Sequence, residues 1–480
     1  MVALSVAASV VARSMTGQLH VVHDPRFSFD YSNGMTLPVR IVYNIARGWP
    51  FLVLVWSLVG ALAICAWQCA KSIAEQGRHA TATLIAGQIV VLAALSFFSI
   101  SFSPDPYAYV LWSRLYGIHG VNPYLLTGPI GALSDPAIEK LLRYYGNPPP
   151  SVDYGPLWLL LAGLLAKIEA GAALFWQFWS HRAIAAASAV AATAGILYLL
   201  RALPPAERNE RAALFAFAPL VLYESAVGGH NDMLLVALGV WAFALAPEFP
   251  LFAALLLGAA IAVKFVAVIT LPFLVIVAAR KRAAAGGLSA IVSLSVVVIC
   301  FAPFWQGAAT LRALQTQSGV MVMSLGWLLG LAASSVAALR GPELQHVVQD
   351  VLGGCFLIAA IVAIVRYAFG PCGRWIWLTV TALLWALPAL NPWYALWLSP
   401  AIAARGRWAA YAWWFGLVVF LHYTLDVIAV PATANGLRTM VNLLTALTIV
   451  ILALPATIAM LGKPPWQGVD LALHYKSAPS

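Results

Sequence analysis

About a dozen continuous apolar stretches, most of them near 20 residues long, occupy the greater part of this 480-residue chain. One crossing of the bilayer hydrocarbon takes roughly 20 apolar residues as α-helix. Lipid offers an open backbone no hydrogen-bond partner, so runs of this length commit the chain to helices, which bond internally. Transmembrane β-strands would alternate apolar and polar residues, and these runs do not alternate. Composition agrees: 62% of residues are apolar and 9% are charged, where soluble domains carry about a quarter charged. The chain therefore reads as all-α, a polytopic integral membrane protein with about 11–14 transmembrane helices.

Residues 1–48 are set apart as an N-terminal polar or interfacial segment, 49–461 as one transmembrane domain, and 462–480 as a polar tail. Met1–Ala12 is apolar but lacks the basic flank of a secretory signal. Residues 103–153 form the longest polar stretch, expected as a large outer loop carrying interfacial helices. The net charge of +10 would suggest nucleic acid as a partner of a soluble protein. Here the basic residues lie in short loops, with no run longer than Arg280-Lys281-Arg282, so membrane lipid is the expected partner and nucleic acid is not. That triplet and Glu207–Arg211 are assigned to the cytoplasm by the excess of basic residues in inner loops. Gly228–Asp232, Lys264 and the 103–153 loop then fall on the outer side. This leaves one run too many between 154 and 203, so 154–170, with Lys167 and Glu169, is expected at the interface. The five cysteines include no CxxC pair, and neither a disulfide framework nor a zinc site is expected.

Charge inside a bilayer is costly, so each instance points to function. Ser103-Pro104-Asp105-Pro106-Tyr107 ends an apolar run, and its two prolines stop the helix with Asp105 at the membrane–water boundary. Tyr109, Trp112, Arg114 and Tyr116 follow at helical spacing, then Gly120-Val121-Asn122-Pro123-Tyr124. This pattern predicts an interfacial amphipathic helix, either an anchor or the wall of a site open to lipid. The loop ends in Asp153-Tyr154-Gly155-Pro156, where Asp153 is a helix cap or a second site carboxylate. Tyr223-Glu224 and Gly228-Gly229-His230-Asn231-Asp232 interrupt two short apolar runs. Such a turn is either a solvated loop or the lining of a polar cavity. Lys264 stands alone in the apolar stretch Phe249–Ala279, which is too long for one crossing. A lysine at the bilayer centre costs roughly 2.5–3.5 kcal/mol. Two short helices meeting near Lys264 would relieve both problems and turn the ammonium toward an anion in an outer cavity. Asn391-Pro392-Trp393-Tyr394, with Trp397, breaks a later run, and His422, Asp426 and Arg438 are candidates to approach it.

These tracts together resemble the polyprenyl-phosphate-sugar-dependent glycosyltransferases of the GT-C superfamily, most of all the bacterial polyprenyl-phosphomannose-dependent α-mannosyltransferases. The resemblance is carried by Asp105-Pro106-Tyr107, Gly120–Tyr124, Tyr154-Gly155-Pro156-Leu157, Gly228–Asp232, Lys264 followed by Pro272, and Asn391–Tyr394. It covers residues 85–280 well and the C-terminal third loosely, and sets the first apolar segment outside the core pattern. It implies that Asp105 acts as general base on an acceptor hydroxyl, which displaces the polyprenyl phosphate with inversion. Lys264 and Arg438 would bind the donor phosphate. Tyr107, Asn122, Tyr124, Asp153, Tyr154, His230, Asn231, Asp232, Trp393 and Tyr394 would bind sugar or acceptor. No organic cofactor is expected, and a divalent metal stays open, with no metal ligands assigned. The partners implied are a polyprenyl-phosphate sugar donor, a glycan or glycolipid acceptor and membrane lipid. The implied location is the bacterial cytoplasmic membrane, multi-pass, with the site facing outward.

A transporter or flippase for a lipid-linked sugar is the alternative. It would favour repeated halves with matching helix breaks, and the break at Lys264 has no later counterpart. Nucleotide-binding and hydrolase signatures are absent: there is no P-loop, GxGxxG, HExxH or GxSxG.

Overall fold

The computed structural model describes residues 37–98, 103, 105–310, 324–336, 342–370, 373–423 and 435–461, apart from positions 127, 132, 146, 148, 150, 151, 153, 281, 405 and 421. These residues are helical, with no strand among them. α1 (Leu37–Ala74) begins inside the segment set apart as N-terminal, and α2 (Ala80–Phe98) leads back toward Ser103. α3 (Asp105–Gly117), α4 (Pro136–Tyr145) and α5 (Pro156–Ile168) make up the large loop and its exit. α6 (Leu174–Leu199) is followed by α7 (Pro205–Ala216), α8 (Asp232–Leu245), α9 (Pro250–Val263), α10 (Leu271–Ala279) and α11 (Ala283–Phe301). The later helices are α12 (Leu325–Val336), α13 (Pro342–Phe369), α14 (Gly373–Ala386), α15 (Arg407–Val419) and α16 (Asn435–Leu461). Six described helices are long and apolar enough to cross a membrane, and four shorter apolar ones accompany them.

Between 205 and 279 the chain runs through α7, the turns Pro219–Leu222 and Tyr223–Val227, α8, α9 and α10, all of them short. Consecutive antiparallel passes bring Gly228–Asp232 and Lys264 together at one end, where Lys264 meets Asp232. At the other end Arg201 pairs with Glu248, and Arg280 donates to the carbonyls of Tyr367 and Ala368. The core between these ends is built largely of small residues. Ala189, Ala192, Ala237, Ala253 and Ala260 are buried in it, letting α6, α8 and α9 approach closely. α5 is 13 residues long, about 20 Å, and falls short of the ~30 Å hydrocarbon. It packs with α3 and the 3₁₀ turn Pro123–Leu125 in a second core at the site end.

That second core corrects one expectation. α3 is no surface helix: Tyr109 is 1% exposed, Trp112 2% and Arg114 7%. The aromatics at helical spacing do form one face, but protein covers it, and Arg114 is buried by pairing. Its guanidinium holds Asp135 through Nε at 3.0 Å and Nη2 at 2.8 Å, and Gln177 through Nη1 at 3.1 Å. Burial would raise the Asp135 pKa, but hydrogen bonds from His119, Arg114 and the Ile138 N–H outweigh it and hold the carboxyl below its usual 3.8. A carboxyl depressed in the folded state stabilises fully above its unfolded pKa, and the gain is lost as pH falls through the folded value. Wild-type melting temperature is therefore expected to fall below about pH 4 more steeply than that of Asp135→Asn. Parallel pH curves for the two proteins would refute this role of Asp135.

Candidate functional site

Four interruptions of helix at one end of the bundle build the site. The first is the turn after α2, where Ser103 Oγ accepts from the Asp105 N–H at 3.2 Å and Asp105 opens α3. Its carboxylate is 14% exposed. The second follows Pro219–Leu222, where the chain widens into the π-helical turn Tyr223–Val227. Such turns are rare and gather at functional sites. Gly229 ends the turn with φ +64°, and a β-carbon there would press on Arg182. His230, Asn231 and Asp232 come next and are buried, so the solvated-loop reading of this cluster fails.

The third interruption is Lys264, extended (φ −155°, ψ +123°) between α9 and the 3₁₀ turn Phe265–Thr270. The over-long apolar stretch is thus two short helices meeting at the lysine, as its length required. Gly155 seals this break from the loop side, its N–H donating to the Val263 carbonyl at 2.9 Å. A β-carbon at Gly155 would collide with the Ala262 carbonyl. Gly155→Ala is expected to cost about 1–3 kcal/mol by overpacking, read as a lower melting temperature; an unchanged one would show that this approach tolerates a methyl group. The fourth interruption is the 3₁₀ stretch Pro392–Ala403, which delivers Trp393, Tyr394 and Trp397.

The side chains from these breaks interlock. Lys264 Nζ donates to both oxygens of Asp232, at 2.9 and 3.0 Å, and Trp397 Nε1 donates to Asp232 Oδ1 at 2.6 Å. The ammonium also lies 4.7 Å from the Tyr394 ring centre and 5.6 Å from that of Trp397. His230 stacks on Trp393 with centroids 4.3 Å apart and planes 13° from parallel. Its Nδ1 lies 2.8 Å from Glu224 Oε2, at an angle unsuited to a hydrogen bond. Its Nε2 lies 3.0 Å from Ser103 Oγ and 3.9 Å from Asp105 Oδ2. Tyr423 donates to both Glu224 oxygens, at 3.1 and 3.2 Å. Tyr109 donates to Asn231 Oδ1 at 3.3 Å, while the buried Asn231 Nδ2 meets no partner among the described residues. An apolar cavity begins at Trp397 and runs past Val266 and Leu235 to Phe243, toward the far end of the bundle. Among the described residues no group of three His, Cys, Asp or Glu is placed to hold a metal ion.

A family model described as Alpha-(1->6)-mannopyranosyltransferase, N-terminal domain (MptA_B family) matches residues 2–280. The chain belongs to this mannosyltransferase family. No curated protein and no solved structure matches it. The chain is thus a glycosyltransferase rather than a sugar-lipid carrier, and its apolar helices make it a multi-pass membrane protein. The match begins at residue 2, so it takes in the first apolar segment, which the resemblance had set outside the core pattern.

In this mannosyltransferase Asp105, His230, Asn231, Asp232, Lys264, Trp393 and Tyr394 converge in one cluster, the candidate site. Tyr107 lies at its edge, against Phe178 with centroids 5.0 Å apart. Asn122, Tyr124 and Tyr154 belong to the outer layer: Asn122 Nδ2 donates to the Phe304 carbonyl and Tyr124 Oη to the Tyr154 carbonyl. Tyr154 touches the site through Tyr109, edge-on at 4.9 Å. Asp153 and Asp426 lie outside the described residues, as does the side chain of Arg438. Sequence reasoning quoted Glu224, Tyr109 and Trp397 without giving them partners, and missed Tyr423 and Arg182 altogether. Only the interruption of apolar sequence at Tyr223-Glu224 signalled any of them.

Proposed function

We propose that this enzyme transfers mannose from a polyprenyl-phosphate donor to a glycan or lipid-linked acceptor on the outer face of the bacterial cytoplasmic membrane. The family match over residues 2–280 carries the mannosyl part of this reading. Asp105 is the general base, taking the proton of the acceptor hydroxyl as its oxygen attacks the anomeric carbon. The bond from that carbon to the phosphate oxygen breaks in line, with inversion, and the polyprenyl phosphate leaves with the electron pair. An inverting transfer that forms an α-(1→6) linkage consumes a β-linked donor.

The geometry supports these roles. Lys264 meets the leaving phosphate, and Asp232 and Trp397 hold Lys264 in place, while Arg438 is assigned to the phosphate by the resemblance alone. The apolar cavity lined in part by Trp397, which also holds the Asp232 partner of Lys264, suits a prenyl chain whose phosphate lies at Lys264. The unpartnered amide of Asn231 suits a sugar hydroxyl. The test is transfer by the purified protein from a panel of polyprenyl-phosphate sugars of both anomers, with the product linkage read by NMR. Exclusive use of β-phosphomannose to give an α-product supports the reading. Use of a nucleotide sugar, or retention of configuration, would overturn it.

A further inference from the structure

We propose that Glu224 and Tyr423 hold His230 as an imidazolium that positions the Asp105 carboxylate for its proton transfer. This proposal rests on the reading of Asp105 as base and adds a device that the reading does not require. The imidazole is fixed on every side. Trp393 covers one face in parallel, which for a charged ring is a cation–π contact. A side chain at Gly228 would run into Nδ1 and Glu224, so the glycine leaves room for their approach.

The charges around the ring decide its state. Glu224 faces Nδ1 from the π-helical turn, and Asp105 faces Nε2 from α3. Asp232 adjoins it in the chain and is held by Lys264. The stem of Arg182 of α6 packs behind Gly229, and the phenols of Tyr223 and Tyr423 meet at a tilt near Glu224. With Lys264 paired to Asp232, a protonated His230 is a cation that faces both remaining carboxylates, Glu224 and Asp105. A neutral ring protonated on Nε2 would aim its Nδ1 lone pair at Glu224. One protonated on Nδ1 would take the Ser103 hydroxyl at Nε2 and leave two carboxylates facing an uncharged ring. Unbalanced charge is costly in so buried a place. The single hydroxyl proton of Tyr423 is shared between the two Glu224 oxygens and thereby keeps that carboxylate turned to the histidine. Glu224 and Tyr423 are positioning residues, since neither touches the reacting atoms.

The experiment is the pH profile of kcat for mannosyl transfer by the full-length enzyme, wild type beside Glu224→Gln and Tyr423→Phe. Removing the Glu224 charge lets His230 lose its proton earlier, so the alkaline limb should move down by about one pH unit or more. The rate should fall at least about tenfold further at pH 8.5 than at pH 6. Tyr423→Phe should move the same limb in the same direction by less, and it decides the matter if Glu224→Gln fails to fold. A limb that stays in place while the rate falls evenly across pH would overturn the proposal and leave the reading of Asp105 standing. A wild type that transfers no mannose at any pH would overturn that reading, and this proposal with it.

Discussion

Asp105→Asn is expected to lower kcat for mannosyl transfer by about 10²–10⁴-fold, the range for loss of a general base. KM for donor and acceptor should change little, because asparagine keeps the size and one acceptor oxygen of aspartate and loses only the capacity to take a proton. The fold should barely notice. Asp105 is partly exposed at the first turn of α3, and a carboxylate near a helix N-terminus contributes only about 0.3–1 kcal/mol. Steady-state kinetics beside a melting curve check both halves. A variant that keeps more than a tenth of the wild-type rate would place the base elsewhere, with His230, 3.9 Å away, the next group in line.

Lys264→Met should cost more in stability than any other single change at the site. It leaves Asp232 charged and fully buried with the Trp397 N–H as its remaining hydrogen-bond donor among the described residues, and a broken buried ion pair costs about 3–5 kcal/mol. Lys264→Met combined with Asp232→Asn removes both charges and keeps an oxygen for Trp397. The double variant should recover most of the lost melting temperature while remaining inactive, which separates holding the fold from holding the phosphate. A single variant as stable as wild type would mean that the pair is not a buried unit. A double variant that transfers mannose would remove Lys264 from the chemistry.

What could be read from sequence follows from what membrane cost makes visible. A lysine inside an apolar stretch too long for one crossing pointed to a break, with snorkelling as the alternative, and Lys264 is a break. A Gly-Gly-His-Asn-Asp turn between short apolar runs could be a solvated loop or line a polar interior, and its burial decides for the interior. The two prolines around Asp105 were legible as a helix end, whereas its place at the start of the next helix, α3, was not. Partners were illegible, because nothing periodic links Tyr423 to Glu224, Trp397 to Asp232 or Tyr109 to Asn231 across more than a hundred residues. The nature of a helix's cover was equally hidden: an aromatic face on α3 looks the same whether lipid or a second protein core lies against it. The outer-layer residues Asn122, Tyr124 and Tyr154 were grouped with the site because they share a stretch of chain, while the fold spends them mainly on packing.

The interlocked side chains also carry a timetable. A ribosome adding about 5–20 residues per second needs about 10–40 s to travel the 199 residues from Glu224 to Tyr423. Through that interval the first half of the protein must keep its charges in lipid without the second half. The order of pairing suits this wait. Glu224 meets His230 six positions on, and Asp232 meets Lys264 32 positions on, so each acid has a basic partner within the same few newly inserted helices. The groups that arrive last, Trp393, Trp397 and Tyr423, are neutral aromatics that complete the cage without having to neutralise it.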